Sequence, residues 1–99
     1  MIYQVYLKFQ AHQDILETVL WYETQRTGLG AEFYEEVEKV KEILSSNPLM
    51  FEIKYKNKVR WVQTERFPYI VVYVVNQSDV VVLAVASTHR NPKIWKSRL

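Results

Sequence analysis

The sequence has no cysteine, two glycines and three prolines among its 99 residues. Without thiols the chain can form neither disulfides nor thiolate-bound metal sites, a composition that fits a cytoplasmic protein. Its longest apolar runs, residues 70–75 and 80–86, are far shorter than the roughly 20 residues that a membrane-spanning helix needs. The N-terminal residues alternate between apolar and polar side chains, which is unlike the apolar core of a secretory signal. We therefore expect a cytoplasmic protein that does not act at a membrane.

The overall composition is that of one compact globule. Hydrophobic residues make up 48% of the chain and aromatic residues 14%, which excludes a disordered protein. A chain of this length builds one core, so residues 1–99 are expected to form a single domain. Residues 1–50 carry four basic and eight acidic side chains, whereas residues 51–99 carry nine basic and three acidic ones. The positive second half favours a polyanionic partner; the alternative is a solvated surface with unevenly distributed charge.

Residue spacing predicts one strand followed by two helices. Residues 2–9 alternate with period two, which is typical of a strand with one buried face. A helix is expected to open at or just before Asp14 and to end at the Gly28-Leu29-Gly30 segment, where Gly28 suits a left-handed cap. The apolar stripe predicted for this helix consists of Ile15, Leu16, Val19, Leu20 and Tyr22. The second helix buries Phe33, Val37, Val40 and Leu44 and ends before Pro48.

The rest of the chain reads as strands. The predicted segments are 51–55, 58–63, 67–75 and 80–87, and the last two are joined by the turn Asn76-Gln77-Ser78-Asp79. The two apolar segments belong at the centre of the sheet, where both faces are covered. We predict an α+β domain of two layers in the order β-α-α-β-β-β. In it an antiparallel αα-hairpin packs on a mainly antiparallel sheet.

Hydrogen-bonding and cationic residues gather where the last strand ends. A hairpin turn centred on residues 77–78 would place Arg66 and Tyr69 across from Thr88 and Arg90. Cleavage of RNA by its own 2′-hydroxyl needs a base, an acid and cations that hold the phosphate. The candidate catalytic residues are the proton-transfer group His89 and the phosphate clamp Arg66 and Arg90. The candidate residues for binding nucleic acid or another target are Arg60, Tyr69, Ser87, Thr88 and Lys93.

Each of these residues also has a structural interpretation. Tyr69 and Tyr73 fit core aromatics whose hydroxyl groups find a partner. Arg60 and Arg66 would then form ion pairs with Glu52 or Glu65 on neighbouring strands. His89 would be an ordinary surface histidine. No metal or other cofactor is expected, because neither histidine has partners at metal-ligand spacing.

Several short motifs occur in order between Asp14 and Trp95, and none of them is specific alone. They are Asp14-Ile15, Trp21-Tyr22-Glu23, Gly28-Leu29-Gly30 with Phe33, Asn47-Pro48, Val59-Arg60, Arg66-Phe67-Pro68-Tyr69, Tyr73, and Arg90-Asn91-Pro92 with Trp95. In this order and spacing the chain resembles the RelE/ParE-superfamily toxins of type II toxin–antitoxin modules, often labelled plasmid stabilisation proteins. The resemblance implies the fold just predicted, a bacterial cytoplasmic setting, growth inhibition, and a co-encoded antitoxin that neutralises the toxin.

The resemblance leaves the target open, because the superfamily holds ribosome-dependent mRNA endonucleases and DNA gyrase poisons on one scaffold. Our leading expectation is cleavage of mRNA on the ribosome by a metal-independent endoribonuclease. The alternatives are a gyrase poison of the ParE type and a non-toxic member that only binds its antitoxin. The nucleases of the superfamily typically place an arginine directly after the tyrosine of a Tyr-Arg-x-x-Tyr run, and this chain has Ile70 there. Whether the chain is an enzyme therefore depends on its target.

Overall fold

The computed structural model describes residues 2–90 and 93–99. The regular elements are β1 (Gln4–Leu7), α1 (Phe9–Gln25), α2 (Leu29–Ser46), β2 (Ile53–Tyr55), β3 (Val59–Gln63), β4 (Tyr69–Asn76) and β5 (Asp79–Ser87). Short 3₁₀ helices, Pro48–Met50 and Ile94–Arg98, precede β2 and follow β5, and the second is called the C-terminal turn below. Asn91 and Pro92, which contribute to the resemblance, lie outside the described residues.

The strands form one five-stranded sheet in the order β1-β5-β4-β3-β2. Only the pairing of β1 with β5 is parallel, which confirms a mainly antiparallel sheet with the two apolar strands, β4 and β5, near its centre. The αα-hairpin packs on one face of this sheet, as predicted. Four strands follow the helices, matching the four predicted segments although the predicted order counted three; the first of them, β2, is only three residues long and pairs with β3 at the sheet edge.

The first strand is shorter, and the first helix longer, than predicted. The Lys8 amide donates to the Val82 carbonyl at 2.9 Å, and the His12 amide then donates to the Lys8 carbonyl at 3.0 Å. The helix therefore begins at Phe9 rather than near Asp14. Phe9 continues the alternating pattern in sequence, but its side chain is 70% exposed on the outer face of α1.

The helical layer buries a narrower stripe of α1 than predicted. All four predicted core positions of α2 are buried, and they pack with Ile15 of α1 against β4 and β5. Leu16 and Leu20, however, are 49% and 67% exposed. Ala11 and Ile15 lie in the core and Val19 and Tyr22 pack against it at helical spacing, whereas the two leucines lie on an adjacent, exposed side of the helix.

An irregularity sets the register of the central hairpin. Asn76 pairs with Asp79 across a loop of residues 77–78, as predicted, and Gln77 has a φ of 57°. Further along, Tyr73 pairs with Val82 but Val72 pairs with Ala84, so Leu83 is an extra residue in β5. This bulge places Tyr69 opposite Ser87, and both side chains face the helices.

The second face of the sheet, away from the helices, carries its own apolar cluster. Trp95 of the C-terminal turn is 2% exposed there and packs against Tyr55 and Trp61, with ring centroids 5.1 and 5.8 Å apart. The C-terminal turn thus covers part of the face that the helices leave open. Among residues 2–90 and 93–99, no helix is long and apolar enough to cross a bilayer.

Candidate functional site

The end of the β4–β5 hairpin gathers five of the eight predicted site residues. We call Tyr69, Ser87, Thr88, His89 and Arg90 the strand-end cluster. The Thr88 amide and hydroxyl both donate to the Pro68 carbonyl, at 2.8 and 3.2 Å, and so extend the hairpin past its last strand pair. The Ser87 hydroxyl accepts the backbone amides of His89 and Arg90, at 3.1 and 3.2 Å. Ser87 and Thr88 therefore fold the chain back, and this turn presents His89 and Arg90 to solvent.

Arg90 is the member of the cluster whose side chain is oriented by its neighbours. Its guanidinium lies 5.9 Å from the centre of the Trp21 ring, and one of its nitrogens is 3.5 Å from the Tyr69 hydroxyl. Tyr69 itself is 5% exposed, so its ring belongs to the core and only its hydroxyl reaches the site. Burial raises the pKa of the adjacent Tyr22, Tyr69 raises it further, and Arg90 acts in the opposite direction. At neutral pH Arg90 is therefore an oriented cation beside the uncharged phenol of Tyr22.

A cleft of about 240 Å³ lies between α1 and the end of β5. It is lined by Asp14, Glu17, Thr18, Tyr69, Val85, Ala86, Ser87, Arg90 and Ile94. A second hollow of about 200 Å³ shares Glu17, Tyr69 and Arg90 and extends to Trp21. The cleft thus has carboxylates on its helical wall and the Arg90 guanidinium on the strand wall. This mixed lining suits a partner that offers an anionic group to Arg90 and an apolar or cationic one to α1.

Arg66 is held by α2 rather than by the strand-end cluster. Its guanidinium lies 2.5 Å from a carboxylate oxygen of Glu32, whose other oxygen is 3.0 Å from Arg26. The hydrogen bond from Arg66, followed by that from Arg26, holds the pKa of Glu32 below its ordinary value, and Glu32 in turn raises the pKa of Arg66. The prediction that Arg66 pairs with Glu65 or Glu52 is wrong in its partner, because α2 supplies the carboxylate. Half of the predicted phosphate clamp is therefore already engaged by a carboxylate of α2.

Arg60 lies away from the strand-end cluster. It pairs with Tyr73 on β4, four residues or about 13 Å along the strand from Tyr69. Its guanidinium donates to the backbone carbonyl of Phe51, and Glu52 pairs with Lys54 instead, at 2.7 Å. The predicted ion pair between Arg60 and Glu52 is therefore wrong. Arg60 fastens the segment before β2 to β3.

His89 and Lys93 are exposed, and the described residues show no hydrogen bond from either side chain. The Lys93 carbonyl accepts the Lys96 amide at 3.1 Å and starts the C-terminal turn. Within residues 2–90 and 93–99, no group of three or more histidine, aspartate or glutamate side chains is placed to hold a metal ion. The His89 ring lies exposed to solvent, and no carboxylate among the described residues is placed to orient it.

Sequence reasoning missed a cationic surface on the second face. Lys54 lies 5.6 Å from the Trp61 ring centre, and Lys96 lies 4.8 Å from the Tyr55 ring centre. Lys56 also approaches Tyr55, at 5.5 Å. The run of lysines at 54, 56 and 58 was the available signal of positive charge, but Lys56 and Lys58 lie in the turn between β2 and β3, so strand alternation does not place them. We call Lys54, Lys56, Lys96, Tyr55 and Trp61 the cation–aromatic face.

Known structures share the whole architecture. The chain is similar to a chain of the chromosomal ParDE toxin–antitoxin system from P. aeruginosa, with a TM-score of 0.76 at 13% identity over 87% of this chain and 96% of that one. It is also similar to a double arginine-to-alanine mutant of the E. coli toxin RelE in the free state, with a TM-score of 0.73 at 16% identity over 99% of this chain and 94% of that one. No curated protein matches the chain.

At these sequence identities the two structures establish the fold alone. The assignment to a family rests on the sequence match. The family model for the ParE toxin of the type II toxin–antitoxin system parDE matches residues 5–92, from β1 through the strand-end cluster. This match confirms the resemblance carried by the ordered motifs. The chain belongs to the ParE toxin family and is the toxin of a type II toxin–antitoxin system.

Proposed function

We propose that this toxin stops growth by binding DNA gyrase through Arg90 of the strand-end cluster, and that it does not cleave mRNA. The observation that carries this proposal is the environment of residue 70. Ile70 is 7% exposed and packs on the second face with Trp95 and Leu83. The superfamily's nucleases typically have an arginine in this place, and the second face here offers an apolar side chain instead.

The predicted catalytic residues support the same conclusion. A phosphate-cleaving site needs an acid, a base and cations that are placed together. Arg66 is paired with Glu32, and the imidazole of His89 has no orienting partner among the described residues. Of the three predicted catalytic residues, Arg90 combines exposure with a fixed orientation, through Trp21 and Tyr69. One oriented cation beside an exposed aromatic ring is an arrangement for binding, because arginine and tryptophan dominate the energetics of protein interfaces.

The cognate antitoxin is the second partner in this proposal. The family is defined by toxin–antitoxin systems, and the similar P. aeruginosa chain comes from a ParDE pair. The positively charged second half of the chain suits an acidic antitoxin segment that folds as it docks, by helix-in-groove or added-strand contacts. Co-expression with the neighbouring reading frame should yield a stable complex. Failure of the two proteins to co-elute at micromolar concentrations would contradict this partner.

The test of the target is graded induction of the chain in a bacterium without the antitoxin. Gyrase-trapped double-strand DNA breaks and transcript integrity are measured in the same cultures. The wild-type chain should accumulate breaks while transcripts remain intact. Arg90→Ala should need at least about tenfold more inducer for the same growth arrest, since loss of an interface hot spot exceeds about 1.4 kcal/mol. His89→Ala should remain fully toxic.

Lys41→Ala is the matched control, because it removes one positive charge from α2 outside the strand-end cluster and the cleft. Cleaved transcripts without DNA breaks would contradict gyrase as the target. Loss of toxicity in a folded His89→Ala variant would contradict binding as the mechanism. Normal growth at verified soluble expression of the wild-type chain would instead favour the non-toxic alternative.

Cleavage of mRNA remains a second candidate because of the cation–aromatic face. Lysines above aromatic rings suit single-stranded nucleic acid, whose bases stack and whose phosphates attract cations. If this face binds RNA, a single-stranded RNA oligonucleotide should bind with an affinity that falls steeply with salt. Lys96→Ala should then lower the slope of log K against log salt by about 0.7, whereas Lys41→Ala should leave it unchanged. Absence of binding at low salt would remove this candidate.

A further inference from the structure

The edge of β5 loses its neighbouring strand at Leu7, and two side chains replace it. β1 pairs with β5 only as far as Leu7 opposite Val82. Beyond that point, an Asp14 carboxylate oxygen accepts the Val85 amide at 3.0 Å. The guanidinium of Arg98 donates to the Leu83 carbonyl at 3.2 Å. The backbone groups that β1 would have satisfied are therefore satisfied by α1 and by the C-terminal turn.

Asp14 and Arg98 also form a bidentate ion pair, in which each terminal nitrogen of Arg98 contacts one carboxylate oxygen of Asp14. The two contacts measure 2.6 and 3.2 Å, and the side chains are only 16% and 11% exposed. This forked geometry is specific to arginine, because a lysine ammonium cannot donate two parallel hydrogen bonds to one carboxylate. Lys8 adds a hydrogen bond from its ammonium to the Arg98 carbonyl, at 3.0 Å. The last described residues of the chain are thus attached to α1.

The C-terminal turn that this pair holds is directly connected to the strand-end cluster. Three residues, 91–93, separate Arg90 from the start of the turn at Ile94. Ile94 and Asp14 line the same cleft as Arg90 and Tyr69. The turn is anchored at both ends, by Trp95 in the apolar cluster of the second face and by Arg98 on α1. Because Ile94 and Arg90 border the same cleft, a displacement of the turn would change the wall that the Arg90 side chain faces.

We infer that Asp14 and Arg98 are positioning residues of the toxin site: their ion pair fixes the C-terminal turn and thereby holds Arg90 against Trp21 and Tyr69. This inference rests on the proposed function, in which Arg90 contacts the target. A buried ion pair contributes little net stability when compared with a well-packed apolar pair. What it supplies here is a defined position for the C-terminal turn, which borders the cleft beside Arg90.

The experiment reads the environment of Trp21 directly. The full-length chain is labelled with 5-fluorotryptophan, and the ¹⁹F resonance of Trp21 is assigned with Trp21→Phe. In Arg98→Ala and Asp14→Asn, this resonance should shift toward its position in Arg90→Ala. Both variants should need more inducer for growth arrest than wild type, by up to the roughly tenfold expected for Arg90→Ala, because displacing a binding cation cannot cost more than removing it. Arg98→Lys keeps the charge but loses the fork and should lie between wild type and Arg98→Ala.

Lys41→Ala, which removes a charge from α2, should change neither measurement. If Arg98→Ala does not fold, as judged by circular dichroism, Arg98→Lys carries the test. A folded Arg98→Ala or Arg98→Lys variant with wild-type toxicity and an unshifted Trp21 resonance would overturn the inference. A shifted resonance in Arg98→Ala, together with full toxicity in Arg90→Ala, would support the positioning role and refute the proposed site. The two failures are therefore distinguishable.

Discussion

The backbone of Gly30 lies against the carbonyl oxygen of Val19, and a Cβ placed on Gly30 would come within 2.6 Å of that oxygen. The two residues belong to the two helices of the hairpin, so this contact sets how closely α1 and α2 approach. Glu23 reinforces the junction, since its carboxylate accepts the Gly28 amide at 2.9 Å and the Gly30 amide at 3.1 Å. The two glycines serve different purposes, because Gly28 has a φ of 90° and a Cβ added there would meet no heavy atom within 4 Å.

We predict that Gly30→Ala destabilises the protein by about 2 kcal/mol. Alanine gains roughly 0.5–1 kcal/mol of helix propensity over glycine, but overpacking against a backbone atom costs about 1–3 kcal/mol, and a contact of 2.6 Å places this site at the upper end. Urea unfolding followed by circular dichroism measures the difference.

Gly28 supplies the control for that measurement. Gly28→Ala should cost about 1–2 kcal/mol through backbone strain alone, and Gly28→Asn should recover part of this loss because asparagine tolerates the left-handed region. Gly30→Asn should recover nothing. A Gly30→Ala variant as stable as wild type would show that α1 and α2 can separate without cost.

The fold was accessible from the sequence because its strands and helices carry strong periodic patterns. The four-, three- and four-residue steps of Phe33, Val37, Val40 and Leu44 correctly gave the buried face of α2. The central hairpin was also predictable, from its apolar runs and the turn at residues 77–78. The start of α1 could not be predicted in this way. Phe9 continues the period-two pattern of a strand, but the hydrogen bond from the His12 amide to the Lys8 carbonyl shows that the helix has already begun.

The site was less accessible, because its geometry depends on partners that are distant in sequence. Arg66 was expected to belong to a phosphate clamp or to pair with a carboxylate on a neighbouring strand, yet its partner is Glu32, 34 residues earlier on α2. The bulge at Leu83 cannot be read from an unbroken apolar run, and it decides which strand-end residues lie opposite each other. Asp14 and Arg98 are 84 residues apart, and neither belongs to a motif that names the other. Local patterns therefore gave the elements, and long-range ion pairs decided the site.

Glu36 offers a test of how the loop carrying Arg66 is held. This carboxylate is 4% exposed and accepts the backbone amides of Glu65 and Arg66 at 3.1 and 3.3 Å. Glu36→Ala should lower the free energy of unfolding by about 1–3 kcal/mol, because it leaves partly buried amides without an acceptor. Glu36→Gln should cost less, since its amide oxygen can still accept. Urea midpoints measure both.

Glu35→Ala is the control for this comparison, because Glu35 is exposed on the same helix. It should change the free energy of unfolding by less than about 0.5 kcal/mol. Equal losses in Glu35→Ala and Glu36→Ala would mean that the effect comes from the charge of α2 and not from the loop amides.

Tyr73 should make stability fall at alkaline pH. Its hydroxyl donates to the Pro48 carbonyl at 2.6 Å, and burial raises its pKa from 10.0 to about 12, an effect that Arg60 partly opposes. The unfolded chain therefore loses this proton before the folded one, so the stabilisation is complete below about pH 10 and is lost as the pH rises toward 12. By about pH 11 the loss should reach about 1.4 kcal/mol.

Tyr73→Phe isolates that contribution. At about pH 8 the variant should be less stable by about 1 kcal/mol, the usual value of one buried hydrogen bond. At about pH 11 the difference should vanish, because phenylalanine has no proton to lose, while titration of Tyr22 affects both proteins equally. Free energies of unfolding from urea curves at the two pH values provide the measurement. A gap that stays constant between these two pH values would show that Tyr73 does not titrate in this range.

Trp21 should contribute to toxicity although it carries no charge. It is 49% exposed and lies beneath the Arg90 guanidinium, at 5.9 Å. An exposed cation–π contact contributes about 0.5–1 kcal/mol, and Trp21→Ala also removes an aromatic contact surface. We expect Trp21→Ala to raise the inducer concentration for growth arrest by about threefold to tenfold. Trp21→Phe, which keeps a smaller ring under Arg90, should fall between this variant and wild type.

Leu20→Ala separates a specific role of Trp21 from a general loss of exposed apolar surface. Leu20 is the adjacent residue on α1 and is more exposed, at 67%, yet it does not line the cleft or the hollow beside Arg90. It should leave toxicity within about twofold of wild type, because exposed side chains outside an interface contribute little. If Leu20→Ala and Trp21→Ala weaken the toxin equally, the outer face of α1 contacts the target as a whole. In that case the loss in Trp21→Ala reports lost apolar contact area on α1 and not the orientation that Trp21 gives to Arg90.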